Sequence, residues 1–156
     1  MVAVDESLRK VSYQETSLER ELESDQEKYD LVCCSEVIEH VNDQEGFLKN
    51  CMRLVKPETG LLFVSSIAKT PEAYLSVILM GEHVLRLIPP GTHEYDMLIS
   101  PDTVERYVNS GNQEAGVPPF VTVEKTGVTI ANPLTLEMKE TKYLRTNYLM
   151  MLKPTE

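Results

Sequence analysis

The sequence predicts an α/β protein built on a mostly parallel sheet flanked by helices. Three observations carry this. The stretches "YDLVCC" (29–34) and "GLLFVSS" (60–66) are apolar at nearly every position, as strands buried on both faces of a parallel sheet are. Between them, Phe47, Leu48, Cys51, Met52 and Val55 recur at helical spacing. Strand–helix alternation then repeats at the interval of βαβ units.

Taken in order, Val11–Glu15 reads as a short strand, Ser17–Glu23 as a polar helical turn and "SDQEK" (24–28) as a loop. Tyr29–Cys34 is the first buried strand. A helix begins at Asn42, with Glu45 three residues on as in a capping box, and Pro57 ends it. The second buried strand follows at 60–66. A helix is expected over Pro71–Ile88. Another starts at Ser100, with Pro101 in its first position, and closes before Gly111. "FVTVEKTGVTI" (120–130) alternates as a strand, and "RTNYLMMLKP" (145–154) reads as the last one.

The chain has 156 residues, enough for one domain and one sizeable core. Its net charge of −10 argues against nucleic acid as a partner, because phosphate binding needs a cationic face. It also gives no electrostatic attraction to anionic lipid. Cys33, Cys34 and Cys51 form no C-x-x-C pair, so reduced and mostly buried thiols are expected rather than a disulfide framework or a zinc site. The opening "MVAVDESLRK" has no apolar targeting core, and no apolar run reaches the roughly 20 residues a membrane span needs.

Chemistry concentrates in "YDLVCCSEVIEHVND" (29–43). Cys34, Ser35 and Glu36 stand at the carboxyl end of a predicted strand, where open α/β sheets bind ligands. Glu36, Glu39 and His40 are spaced i, i+3 and i+4, so on a helix they share one face. Two carboxylates and an imidazole there can hold a hard divalent cation such as Mg²⁺. The spacing excludes the H-E-x-x-H and H-x-x-E-H peptidase motifs. The alternative is an ordinary helix N-terminus, where acids gain ~0.3–1 kcal/mol from the macrodipole. His83 sits inside a predicted helix and reads as structural. His93, in "PPGTH", is either a general base or a turn-stabilising residue.

"YDLVCCSEVIEHV" followed by "FLKNCMRLVKPETGLLFVSS" resembles the middle of a class I S-adenosylmethionine-dependent methyltransferase. "MGEHVLRLIPPGTHEYDMLISPDTVERYV" (80–108) is similar to the following region of the ubiquinone-biosynthesis O-methyltransferases, the mitochondrial members above all. "YQETSLERE" and "NYLMML" extend the resemblance over about residues 11–153. The resemblance implies the C-terminal portion of a Rossmann-like class I methyltransferase fold: one incomplete domain over 1–156, with 71–110 a helical insertion facing substrate or membrane. It implies S-adenosylmethionine as cofactor with a contact at Ser35, and Mg²⁺ held by Glu36, Glu39 and His40. The implied substrate is a polyprenylated catechol. The implied setting is the matrix side of the mitochondrial inner membrane, peripherally bound and within a biosynthetic complex.

Departures are specific. None of the seven glycines forms a G-x-G, so the family's glycine-rich cofactor loop is missing. Asp5 in "VAVDES" is either the acid that holds the cofactor ribose or part of the segment just after it. The family's K-P-G-G is "KPETG" here, its P-K-G-T-H is "PPGTH", and a Tyr before Asn-Pro is Ala131. Two classes follow: the catalytic and substrate-binding portion of an O-methyltransferase, or a truncated non-catalytic remnant acting as a binding partner. In "EAYLSVILMGEHVLRLI" (72–88), Glu72, Ser76, Glu82, His83 and Arg86 fall within one polar arc at helical spacing. Such a helix either lies in a membrane interface or packs over the sheet or a twin subunit. Because the glycine loop is what lets a backbone approach the cofactor closely, calorimetric titration of the isolated chain is expected to show weak or no S-adenosylmethionine binding. Micromolar affinity would contradict this.

Overall fold

Burial alternates along Asn147–Pro154, the last strand of a five-stranded sheet, and seats one face of the sheet on the core. In the computed structural model, residues 11–24, 28–87, 89–132, 135 and 137–155 are described. Helix α1 spans Leu18–Glu23, with Ser17 as its N-cap, and β1 spans Leu31–Ser35. Helix α2 covers Gln44–Leu54, and β2 covers Leu61–Ile67. Helix α3, Pro71–Ala73, widens into a π-helix over Tyr74–Val84. A 3₁₀ turn at Tyr95–Met97 leads to α4, Pro101–Gly111. Strands β3 (Phe120–Asn132), β4 (Glu137–Thr141) and β5 (Asn147–Pro154) complete the chain. Asp5 and Ile88 lie outside the described residues, and of Ala131 only the backbone is described.

The strand order is β1-β2-β5-β3-β4. On β5, Tyr148, Met150, Leu152 and Pro154 are buried, while Asn147, Leu149 and Met151 are half-buried. The buried set packs with Leu48, Cys51 and Met52 of α2 and Val104 and Val108 of α4 into one main core. Tyr148 is fully buried, and its hydroxyl donates to the carbonyl of Ile99 at 2.9 Å. A smaller cluster, Ile67, Ala73, Ile78 and Leu98, seats the π-helix on the end of β2.

The α/β class stands, but the mostly parallel sheet does not. Only β1 and β2 pair in parallel; β2–β5, β5–β3 and β3–β4 are antiparallel. The cause is the length of the connections. A parallel crossover needs about a dozen residues or more, and the four residues 133–136 between β3 and β4 are too few for one. β3 therefore turns back as β4. The chain then steps across β3 to run as β5 on its other side, with Gly127 opposite both Thr141 and Tyr148.

Gly127 makes that step possible. A Cβ built there would lie 1.9 Å from the carbonyl oxygen of Tyr143, a backbone atom that cannot swing away.

Other expectations shift locally. Val11–Glu15 forms no strand and is exposed. β1 is buried on one face only: Leu31 and Cys33 are exposed while Cys34 is buried, as suits an edge strand bonded to β2 alone among the described residues. The cap of α2 is Asp43, not Asn42, with its carboxylate accepting from the Gly46 N–H at 3.0 Å. Glu45 then has no capping role; it pairs with Lys49 and accepts from Ser110. The helix begun at Pro71 ends at Val84, short of Ile88.

Gly127→Ala is expected to destabilise the fold by about 1–3 kcal/mol or more, the range of overpacked sites. The check is a lower denaturant midpoint at unchanged slope. An unmoved midpoint would mean that the chain does not cross here.

Candidate functional site

The paired ends of β1 and β2 build the site. Their last register pair is Ser35 opposite Ser65. Beyond it the Glu36 N–H donates to the Ser65 carbonyl at 3.1 Å. Glu36 has a φ of 52°, a left-handed conformation unusual for a side chain with a Cβ and concentrated at functional sites. That turn ends the strand and prevents a helix from starting. Only Ile38–His40 winds, as a single 3₁₀ turn. The helical face expected for Glu36, Glu39 and His40 is therefore not formed.

The two carboxylates are nonetheless brought together. The Ser65 hydroxyl donates to Glu36 Oε1 at 2.7 Å, and its oxygen accepts from the Glu36 N–H at 3.2 Å. Ser35 Oγ lies 3.1 Å from the same hydroxyl. Ser66, the next residue of β2, donates to Glu39 Oε2 at 2.8 Å. Glu39 is 2% exposed, and its Oε1 has no hydrogen-bond partner among the described residues. Glu36 is exposed as a residue, yet desolvation of its carboxyl group, the largest cause, raises its pKa. The hydrogen bond from Ser65 opposes the rise, the Glu39 charge and a carboxyl–carboxyl hydrogen bond with Glu39 add to it, and the charge of His93 offsets part of it. The same negative charges act on their neighbours. Burial first, and then Glu39, pushes the Cys34 thiol up to about 12, which leaves it a protonated, unreactive core group. Burial also raises Cys51 to about 12, so two of the three thiols are inert core groups and Cys33 is exposed.

His40 is exposed, and its ring centroid lies 5.8 Å from that of His93. Among the described residues, no group of three or more His, Cys, Asp or Glu side chains is arranged to hold a metal ion. Of the expected trio, Glu36 and Glu39 meet, and His40 lines the same cavity as Glu39. A buried carboxylate oxygen without a partner, beside a second carboxylate, fits a hard cation that takes one or two protein ligands and keeps its waters.

His93 is half-buried and firmly held. Glu82, fully buried, accepts from the His93 N–H at 3.0 Å and the Gly91 N–H at 2.7 Å. It also lies 2.9 Å from His93 Nδ1. Burial alone would raise the Glu82 pKa, but these hydrogen bonds and the His93 charge outweigh it and hold the carboxyl below its usual range. Helical spacing puts Glu82 on one polar arc with Glu72, Ser76, His83 and Arg86. The π-helix changes the angle between successive side chains, so Glu82 turns inward while Leu75, Leu79, Met80, Val84 and Leu85 are exposed. His83 is exposed on the same helix. A cavity of about 330 Å³ lies between Glu39, His40 and Asn42 on one side and Gly91, Thr92, Glu94 and Met97 on the other. A comparable cleft of about 380 Å³ beside Lys49 and Arg53 is lined by charges that already pair with Glu45 and Glu114.

Ser65, Ser66 and Glu82 were missed in the sequence. The only signal for the serines is a pair of hydroxyls closing an otherwise apolar strand.

The chain matches the family described as "Methyltransferase domain" over residues 1–108. It is 37% identical over 144 residues to the mitochondrial ubiquinone biosynthesis O-methyltransferase of Dictyostelium discoideum, covering 91% of this chain and 42% of that protein. It is 37% identical over 153 residues to the ubiquinone biosynthesis O-methyltransferase of Marinobacter nauticus, covering 96% and 60%. The chain thus spans about half the length of the curated relatives it matches. Its fold is similar to that of a solved S-adenosylmethionine-dependent methyltransferase of Thermotoga maritima, described as a possible histamine N-methyltransferase. That match has a TM-score of 0.53 at 16% identity and covers 83% of this chain and 57% of that one.

The clasp on His93 generates a test. A carboxyl whose folded pKa is depressed stabilises the fold above its unfolded value and loses that contribution as the pH falls through the folded value. Hydrogen exchange should therefore show the Gly91 and His93 amides protected at neutral pH and unprotected well below pH ~4, the carboxylate reference range. Glu82→Ala should abolish that protection at neutral pH while the amides of β5 stay protected. Continued protection in the variant would contradict the clasp.

Proposed function

This chain belongs to the methyltransferase-domain family, and from that premise we propose that it carries the catalytic and substrate-binding portion of an O-methyltransferase of ubiquinone biosynthesis. The substrate class is a polyprenylated aromatic with adjacent hydroxyls. The observation that carries the reading is the convergence of Glu36 and Glu39 at the ends of β1 and β2, with Glu39 Oε1 buried and unpartnered among the described residues.

Transfer to a phenol presents a definite difficulty. A phenol has a pKa near 10, so at neutral pH it is a weak nucleophile. S-adenosylmethionine supplies a methyl already activated by its sulfonium. Mg²⁺ supplies Lewis acidity toward catechol oxygens, which favours the phenolate. The protein's own residues bind, orient and exclude water. Glu36 and Glu39 would hold the cation, and His40 is the third candidate donor. Ser35, at the end of β1, is the candidate cofactor contact. Glu82 holds His93 and the Gly91 amide beside this site, so the loop keeps a fixed position there. Holding the reactants in line lowers the barrier by removing the entropy cost of their encounter.

The exposed Leu75, Leu79, Met80, Val84 and Leu85 support a second part of the reading. Grouped apolar residues on a surface mark an interaction site, and a lipid-tailed substrate requires one. We assign this helix to a membrane interface, peripherally on the matrix side of the mitochondrial inner membrane. No helix among the described residues is long and apolar enough to cross a membrane. A biosynthetic complex is the corresponding partner. The absence of any G-x-G in the sequence favours the alternative of a non-catalytic binding partner for the chain acting alone.

Two experiments test these readings. A chimera joining this chain to a relative's glycine-loop segment is expected to transfer methyl groups in a manner abolished by EDTA and by Glu39→Ala, with the fold retained. Activity indifferent to both would leave Glu39 a structural residue. In liposome flotation the chain should float, and Leu79→Glu should return it to the soluble fraction. A chain that stays soluble would overturn the membrane assignment.

A further inference from the structure

Successive residues of a strand point to opposite faces, and the end of β2 uses this in an unusual way. Ser65 and Ser66 are neighbours, and both are buried at 2% and 0% exposure. Yet each donates its hydroxyl to a different carboxylate. Ser65 reaches Glu36 across the parallel pairing with β1. Ser66 reaches Glu39 on the 3₁₀ turn. One oxygen of each carboxylate is thereby fixed. The second oxygen of Glu39 is left buried without a partner among the described residues, on a residue that lines the cavity shared with Gly91 and Thr92.

Apolar residues would serve a purely structural strand end better. Leu62 and Val64, on the same strand, are buried without any polar partner to satisfy. A hydroxyl at 65 or 66 must instead be matched, and the Ser66 hydroxyl is matched by Glu39, a carboxylate drawn out of water at a cost unless its charge is compensated. The paired serines are therefore explained by what they aim. A carboxylate pinned at one oxygen presents the other in a fixed direction, the arrangement by which outer residues orient ligands to a cation.

We propose that Ser65 and Ser66 are the positioning residues of this site, each setting the direction of one carboxylate, Glu36 and Glu39 respectively, toward a shared divalent cation. This rests on the reading of Glu36 and Glu39 as cation ligands. It adds that the two ligands are aimed by one strand end, so each serine is needed for cation affinity although neither touches the cation.

The test is a Mn²⁺ titration of the full chain, followed by the loss of the free-ion signal in electron paramagnetic resonance. Thermal unfolding of each variant runs in parallel. The wild-type chain should bind saturably, and Glu39→Ala should abolish binding. Ser65→Ala and Ser66→Ala should each weaken affinity about 10- to 100-fold, the usual effect of losing an outer partner of a metal ligand. Ser65→Thr and Ser66→Thr, which keep the hydroxyl, should stay within a few-fold of wild type. If Ser66→Ala fails to fold, Ser65→Ala against Ser65→Thr decides alone. No saturable binding by the wild type, or full binding by Glu39→Ala, would overturn the ligand reading and the positioning role with it. Wild-type binding that both alanine variants reproduce would overturn the positioning role alone.

Discussion

Moving a carboxylate out of water costs free energy that must be recovered locally, and Glu39 makes that demand at the centre of this protein. It is 2% exposed, and one of its oxygens is matched by Ser66. Everything around it follows from placing that group. Ser66 belongs to β2, whose register with β1 sets Ser35 opposite Ser65. Ser65 in turn holds Glu36 in its left-handed turn. The turn stops β1 at the residue where a helix would otherwise begin. The short 3₁₀ turn that results carries Glu39 inward and leaves His40 outside.

The same economy of polar groups ties the site to the rest of the fold. Tyr148 of β5 buries its ring in the main core while its hydroxyl anchors the Ile99 carbonyl just before α4. Burial is the main cause that raises its pKa; a hydrogen bond with Ser66 opposes the rise, and Glu39 and Glu36 add to it, so the hydroxyl remains a donor. On the other side, Glu82 is the second fully buried acid, and it is satisfied by three contacts to the loop at Gly91 and His93. One buried carboxylate is closed by its partners and one is left open. That contrast separates a structural clasp from a group positioned for a ligand.

Much of this was legible in the residues. The strands at 31–35 and 61–67, the stripe of α2 and the Ser-Pro start of α4 follow from apolar periodicity and caps. β4 was not legible, because "EMKET" is exposed almost throughout and carries no apolar alternation. The antiparallel half of the sheet was hidden because strand direction depends on a backbone crossing at Gly127, and its sole sequence mark is one glycine within an alternating strand. The site was legible as residues but not as geometry. Glu36 and Glu39 were chosen through a helical spacing that the positive φ at Glu36 abolishes, and they meet instead through the two serines. The burial of Glu82 was invisible because it depends on the π-helix, whose turn no local propensity indicates.

The central claim is that Glu36 and Glu39 form a cation site aimed by the end of β2. Anomalous scattering from crystals grown with Mn²⁺ tests it most directly. The account predicts a peak between the two carboxylates, within coordinating distance of Glu39 Oε1 and with water completing the shell. A map with no peak there, and with Glu39 Oε1 hydrogen-bonded to a protonated Glu36 instead, would contradict it.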